Sequence, residues 1–245
     1  LLRNWNSVLH QVLVFFLREK KVAEVKTIDS DLMPIKEKNS LFKGLALLFT
    51  NISFWVILFY FAIISLPGWA TKNWLPTLFS ENLGIPMEQA GPLATIAISF
   101  SSLLGVIFGG ILSDKWVQKN IKGRVYTSAI GLSLTIPALL LIGFGHSLFN
   151  VVGAALCFGI GYGMFDANNM PIICQFVSSK YRATAYGVLN MTGVGCGALV
   201  TSLLGKSSDS GTLGSGFALM AGVVVIALVV QISFLRPKVN DFVDA

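Results

Sequence analysis

Six stretches of about twenty residues, each nearly free of charge, fall at roughly 44–66, 91–113, 125–145, 150–174, 184–205 and 213–235. A helix of that length matches the roughly 30 Å hydrocarbon core of a bilayer. Val188 to Leu204 and Ala218 to Phe234 are almost continuously apolar, whereas strands of a membrane barrel alternate in polarity over about ten residues. The expected fold is an all-α membrane protein, a bundle of six transmembrane helices. Of the 245 residues 54% are hydrophobic and only 12% charged, about half the charged share of a soluble domain. So few ionisable side chains exclude a soluble enzyme, a coiled coil or a disordered tail.

The 18 basic residues exceed the 12 acidic ones, giving a net charge of +6. They lie in short segments between the apolar runs, where they meet lipid headgroups, and not in a compact patch interleaved with aromatics, so no nucleic-acid partner is expected. Assigned to alternate sides of the six spans, sixteen Lys and Arg fall on one side and only Lys72 and Lys206 on the other. Basic loops stay cytoplasmic, so both termini are expected there, in a bacterial inner membrane or a plasma membrane.

Three segments follow from this pattern. Residues 1–42 hold a short helix with Leu2, Trp5, Leu9, Val12 and Phe16 on one face, followed by a charged cytoplasmic linker. That helix reads either as an interfacial amphipathic helix or as the inner end of a preceding span. Residues 43–236 form the bundle, and 237–245 a cytoplasmic tail. Cys157, Cys174 and Cys196 show neither disulfide nor zinc spacing.

Gly109-Gly110-Ile111-Leu112-Ser113-Asp114-Lys115, closed by Lys122-Gly123-Arg124, resembles the inter-helix loop signature of the major facilitator superfamily. Asn73-Trp74-Leu75-Pro76-Thr77 and the segment from Arg182 to Asn190 are similar to its anion:cation symporter branch. The resemblance implies half of a twelve-helix fold, the carboxyl-terminal half because the charged linker comes first. It also implies a matching amino-terminal six-helix half as partner and a small-molecule solute between the two. Asp114, Lys115 and Arg124 would then form a gate at the cytoplasmic side.

Within the apolar runs Asp166 is the one deeply placed carboxylate, and helical spacing puts Tyr162, Asp166 and Asn169 on one face. A charge there costs at least about 2.5 kcal/mol, so it must face protein, water or a partner. It reads as a coupling site for H+ or Na+, or as a solute-binding group, against a purely structural carboxylate. Tyr186, Asn190, Gly193 and Gly197 form a second stripe, and Asn51, Trp55, Ala62, Ser65, Trp69 and Lys72 a third. Asn190 reads equally as an interhelical hydrogen bond, while Trp69, Lys72 and Trp74 read as an interfacial belt with a snorkelling lysine or as an anion-attracting mouth. The glycine pairs 105/109, 159/163 and 193/197 suit close helix packing.

No catalytic, metal or cofactor motif is present: His10 and His146 are far apart, and neither His-Glu-x-x-His nor Gly-x-Ser-x-Gly occurs. The expected function is a secondary active transporter of an organic anion or sugar acid, working by alternating access with H+ or Na+. The alternatives are a membrane-embedded assembly or regulatory subunit without flux, and a polytopic membrane enzyme.

Overall fold

The computed structural model describes residues 40–235. Their helices are α1 (Ser40–Thr50), α2 (Ile52–Leu83), α3 (Met87–Val117), α4 (Gly123–Phe144), α5 (Leu148–Ile173), α6 (Arg182–Asp209) and α7 (Leu213–Phe234), with a 3-10 turn at Ser179–Tyr181. The amino-terminal helix and linker, up to residue 39, and the tail from residue 236 lie outside the described residues. Helices α2 to α7 are each long and apolar enough to cross a membrane, so the chain is an integral, multi-pass membrane protein with the bilayer as its solvent.

One span differs clearly, at both ends, from the sequence expectation of 44–66. The first span starts at Ile52 and continues to Leu83, which draws Trp69, Lys72 and the Asn73–Thr77 motif inside the helix. The chain breaks before it because Asn51 turns extended, and its side chain accepts a hydrogen bond from Ser53 N at 2.9 Å. That is an N-cap, which satisfies one of the unpaired amides of a helix start. Further on, Pro67 and Pro76 sit inside α2 without ending it. Each removes an amide and frees a carbonyl; in hydrocarbon such groups must be satisfied within the protein. The carbonyls so freed are those of Ile63 and Lys72, and between them the Thr71 hydroxyl donates to Pro67 O at 2.8 Å.

Helices in lipid gain nothing from hiding leucine from more hydrocarbon, so small residues fill their interfaces. The bundle follows this rule. Phe100, Ile107, Ile111, Leu199 and Ile226 face outward, while Gly105, Gly109, Gly161 and Gly163 are buried. A Cβ at Gly105 or Gly109 would meet the backbone of Ile160 or Met164, and one at Gly163 would meet that of Ser102. The two glycine pairs therefore interlock, and α3 on α5 is the most extensive helix contact in the bundle. Helix α5 also packs on α4 at Gly131 and Gly161. Helix α6 offers Gly193 and Gly197 to Ser65 and Trp69 of α2. Thus α2, α3, α5 and α6 surround a common space, while α4 and α7 back them.

Candidate functional site

That space is a cleft of about 250 Å³. Helix α2 supplies Phe61, Ser65, Gly68, Trp69, Thr71 and Lys72; α3 supplies Ile98 and Ser102; α5 supplies Phe158, Gly159, Tyr162, Asp166 and Asn169; α6 supplies Tyr186, Asn190, Gly193 and Val194.

Its levels are fixed by a close approach across the cleft. The Tyr162 hydroxyl occupies the place a Cβ on Gly68 would take, so these residues lie at the same depth. Short connections make successive spans reverse, and α2 and α5 run in opposite directions. Lys72, one turn beyond Gly68, is therefore displaced toward one mouth. Asp166, one turn beyond Tyr162, is displaced toward the other. At 1.5 Å per residue, the two charges sit about 12 Å apart along the bundle axis. Both side chains are exposed to the cleft, and no ion pair joins them.

Between these poles the wall is aromatic and amide-rich. Phe158 stacks on Tyr162 with centroids 5.6 Å apart, and Lys72 Nζ lies 5.6 Å from the Trp69 ring centroid, within cation–π range. Asn169 Nδ2 donates to Asp166 Oδ1 at 3.2 Å. Asn190 Nδ2 donates to Tyr186 O of its own helix at 2.9 Å, so the interhelical bond expected as one reading of Asn190 is not formed. Its amide remains in the exposed wall of the cleft. A smaller apolar recess of about 140 Å³, lined by Leu75, Pro76, Ala94 and Thr95 among others, shares Thr71, Lys72 and Ile98 with the cleft. Pro76 also deprives the Lys72 carbonyl of its helical donor, since the residue four places on has no N–H.

Of the sequence-derived candidates, Lys72, Tyr162, Asp166, Asn169 and Asn190 come together here, joined by Ser65, Trp69, Tyr186 and Gly193 of the two stripes. Asn51 and Trp55 do not. Asn51 caps α2, and Trp55 Nε1 donates to Phe49 O at 2.8 Å, tying α2 back onto α1. Trp55 lies six residues, about 9 Å, below Phe61, the lowest α2 residue of the cleft. Phe61, Phe158 and Thr71 were missed, although Phe158 continues the Tyr162–Asp166 stripe by one turn. Ile98 and Ser102 carry no sequence signal that separates them from lipid-facing neighbours.

Away from the cleft, Arg124 Nη2 pairs with Asp114 Oδ1 at 3.1 Å, bridging the ends of α3 and α4. Among the described residues Lys115 makes no ion pair. Arg182 reaches back from the start of α6 to Val177 O and Cys174 O, at 3.1 and 3.2 Å. A cation on the last carbonyls of α5 is favoured by the helix dipole, so this residue anchors the α5–α6 connection. At the opposite end Asn73 Nδ2 donates to Thr201 Oγ1 at 2.7 Å and Trp74 Nε1 to Thr201 O at 3.1 Å. These bonds clamp α2 to α6.

Six membrane-spanning helices around a polar, aromatic-walled cleft that is open to its surroundings define half of a solute-carrier fold. The chain belongs to the Major Facilitator Superfamily, whose family model matches residues 8–200. It is similar to the chromaffin granule amine transporter of Homo sapiens, 30% identical over 113 residues, 46% of this chain and 20% of that one. It is also similar to the hexuronate transporter of Bacillus subtilis, 22% identical over 234 residues, 91% of this chain and 52% of that one. Its fold matches the crystal structure of a bacterial homolog of the human lysosomal transporter Spinster, inward-facing and unoccupied. There the TM-score is 0.68 at 16% identity, covering 97% of this chain and 58% of that one. The chain therefore spans about half the length of these relatives, or less.

Proposed function

We propose that the chain is the carboxyl-terminal half of a secondary active transporter, which moves a small organic anion of the sugar-acid class by alternating access coupled to H+ or Na+. The carrying observation is the pair of opposite, unpaired charges at two depths of one cleft. Lys72 receives the solute carboxylate. Asn190, Asn169 and the tyrosine hydroxyls receive its hydroxyls, and Asp166 takes the coupling cation. The breadth of similarity to the hexuronate transporter supports this solute class. In the same scheme the Asp114–Arg124 pair and Lys115 hold the cytoplasmic side closed, and the excess of Lys and Arg at that end supports a cytoplasmic location for both termini.

A second reading has its own observation. Aromatic rings line the cleft that Asp166 faces, a setting that suits an organic cation, and one relative carries amines by name. Uptake of glucuronate and of an aromatic monoamine by the transporter containing this bundle separates the two. Saturable glucuronate uptake abolished by Lys72→Gln supports the anion. Amine transport that survives Lys72→Gln and is lost in Asp166→Asn overturns it.

A further inference from the structure

A second concavity lies on the opposite side of the bundle from the cleft. Trp116 at the end of α3, Tyr126, Ala129 and Ile130 of α4, and Leu228 and Ile232 of α7 line a shallow, open groove. Neither α4 nor α7 contributes to the cleft, so this groove opens toward the bilayer. Its floor is apolar: Ala129 is buried, and the Ser133 hydroxyl at its far end is turned onto Ile130 O at 2.7 Å. From Tyr126 to Ser133 it runs about 10 Å along α4, from the helix end into the hydrocarbon region.

The charge at one end of this groove sets it apart from ordinary lipid-facing surface. Trp116 and Tyr126 are amphipathic rings of the kind that sit at headgroup level. The Trp116 carbonyl accepts from both Lys119 N and Asn120 N, and Asn120 Oδ1 accepts from Lys122 N. The connection is therefore a tight turn between the helix ends that carry Trp116 and Tyr126, and it brings Lys119 and Lys122 to that end of the groove. The sequence from 112 to 133 holds a single carboxylate, Asp114, which is already paired with Arg124. An apolar groove ending at lysines that form no ion pair among the described residues is complementary to a molecule with a hydrocarbon chain and an anionic head.

We propose that the α4–α7 groove binds one anionic glycerophospholipid, with an acyl chain along Ala129, Ile130, Leu228 and Ile232 and the phosphate between Lys119 and Lys122. This is independent of the solute carried through the cleft.

The test uses the full chain in mixed micelles, titrated separately with phosphatidylglycerol and phosphatidylcholine and read by native mass spectrometry. One phosphatidylglycerol is expected to be retained in preference to phosphatidylcholine. Membrane-surface cations contribute about fivefold each, so Lys119→Gln with Lys122→Gln is expected to weaken phosphatidylglycerol binding about thirtyfold and leave phosphatidylcholine unchanged. Ser133→Phe, at an exposed position that leaves helix packing intact, fills the slot and lowers phosphatidylglycerol occupancy with the lysines still present. Equal retention of the two lipids, or unchanged phosphatidylglycerol occupancy in the folded Ser133→Phe chain, overturns the proposal.

Discussion

Asp166 is exposed to the cleft, and the hydrogen bond it accepts comes from Asn169 on its own helix. Replacing it therefore disturbs chemistry more than packing. In the intact transporter Asp166→Asn is expected to keep its melting temperature, within about 0.5 kcal/mol for an exposed substitution, and to lose accumulation against a gradient while retaining solute counterflow. Normal ion-driven accumulation by the well-folded variant would reject the coupling role. Asn51 has the opposite character. Its side chain caps α2, so Asn51→Ala is expected to cost about 1 kcal/mol of thermal stability and to leave solute affinity unchanged; a shift in affinity at unchanged stability would return it to the site. The sequence stripe that united Asn51 and Trp55 with Lys72 assumed one unbroken helix long enough to bring them all to the cleft. The break at Asn51 and the 9 Å below Phe61 show why periodicity alone does not fix depth. The Tyr162–Asp166–Asn169 face was legible because its residues sit within two turns of one uninterrupted helix, where angle and depth change together.

Among whole helices, the glycines divide by what stands opposite them. Gly109 and Gly110 are neighbours in sequence and chemically identical, yet a methyl at Gly109 would run into the Cα of Met164 while one at Gly110 meets open space. Gly109→Ala is expected to part α3 from α5 and destabilise the bundle by about 1–3 kcal/mol. Gly110→Ala relieves the entropic cost of a helical glycine and is expected to stabilise it by about 0.5–1 kcal/mol. Thermal unfolding in detergent decides, and equal shifts for the two variants would contradict the α3–α5 crossing. The spacing of the glycine pairs made close packing readable in advance, but which glycine faces a helix depends on rotation about the axis, and that is set by tertiary contacts. The same limit moved the end of α2. Lys72 and Asn73 interrupt the apolar run, yet they are accommodated because Lys72 faces the cleft and Asn73 reaches Thr201. Polar residues that line an internal space end a hydropathy window without ending a helix.

For the whole molecule, the decisive feature is the openness of the cleft. Its walls come from four helices of one bundle, and two of those four, α3 and α6, bury the smallest shares of their apolar segments, 22% and 28%. Met191, Val194 and Leu203 of α6, with Phe100, Leu103 and Ile107 of α3, are exposed, and Val194 lines the cleft itself. Alternating access requires a second body that closes against these helices first at one mouth and then at the other, and nothing among the described residues supplies it. Helices α4 and α7 stand behind the walls, with α4 packed on α5 through Gly131 and Gly161 and on α7 through Gly143 and Gly214. The isolated 245-residue chain is therefore expected to insert and fold in vesicles but to show no saturable, gradient-driven accumulation. Addition of a complementary six-helix bundle is expected to restore it and to shield Val194 from a membrane-permeant label attached through Val194→Cys. Concentrative uptake by vesicles containing this chain alone, with a crosslinking experiment showing it to be monomeric, would mean that one bundle can close its own cleft.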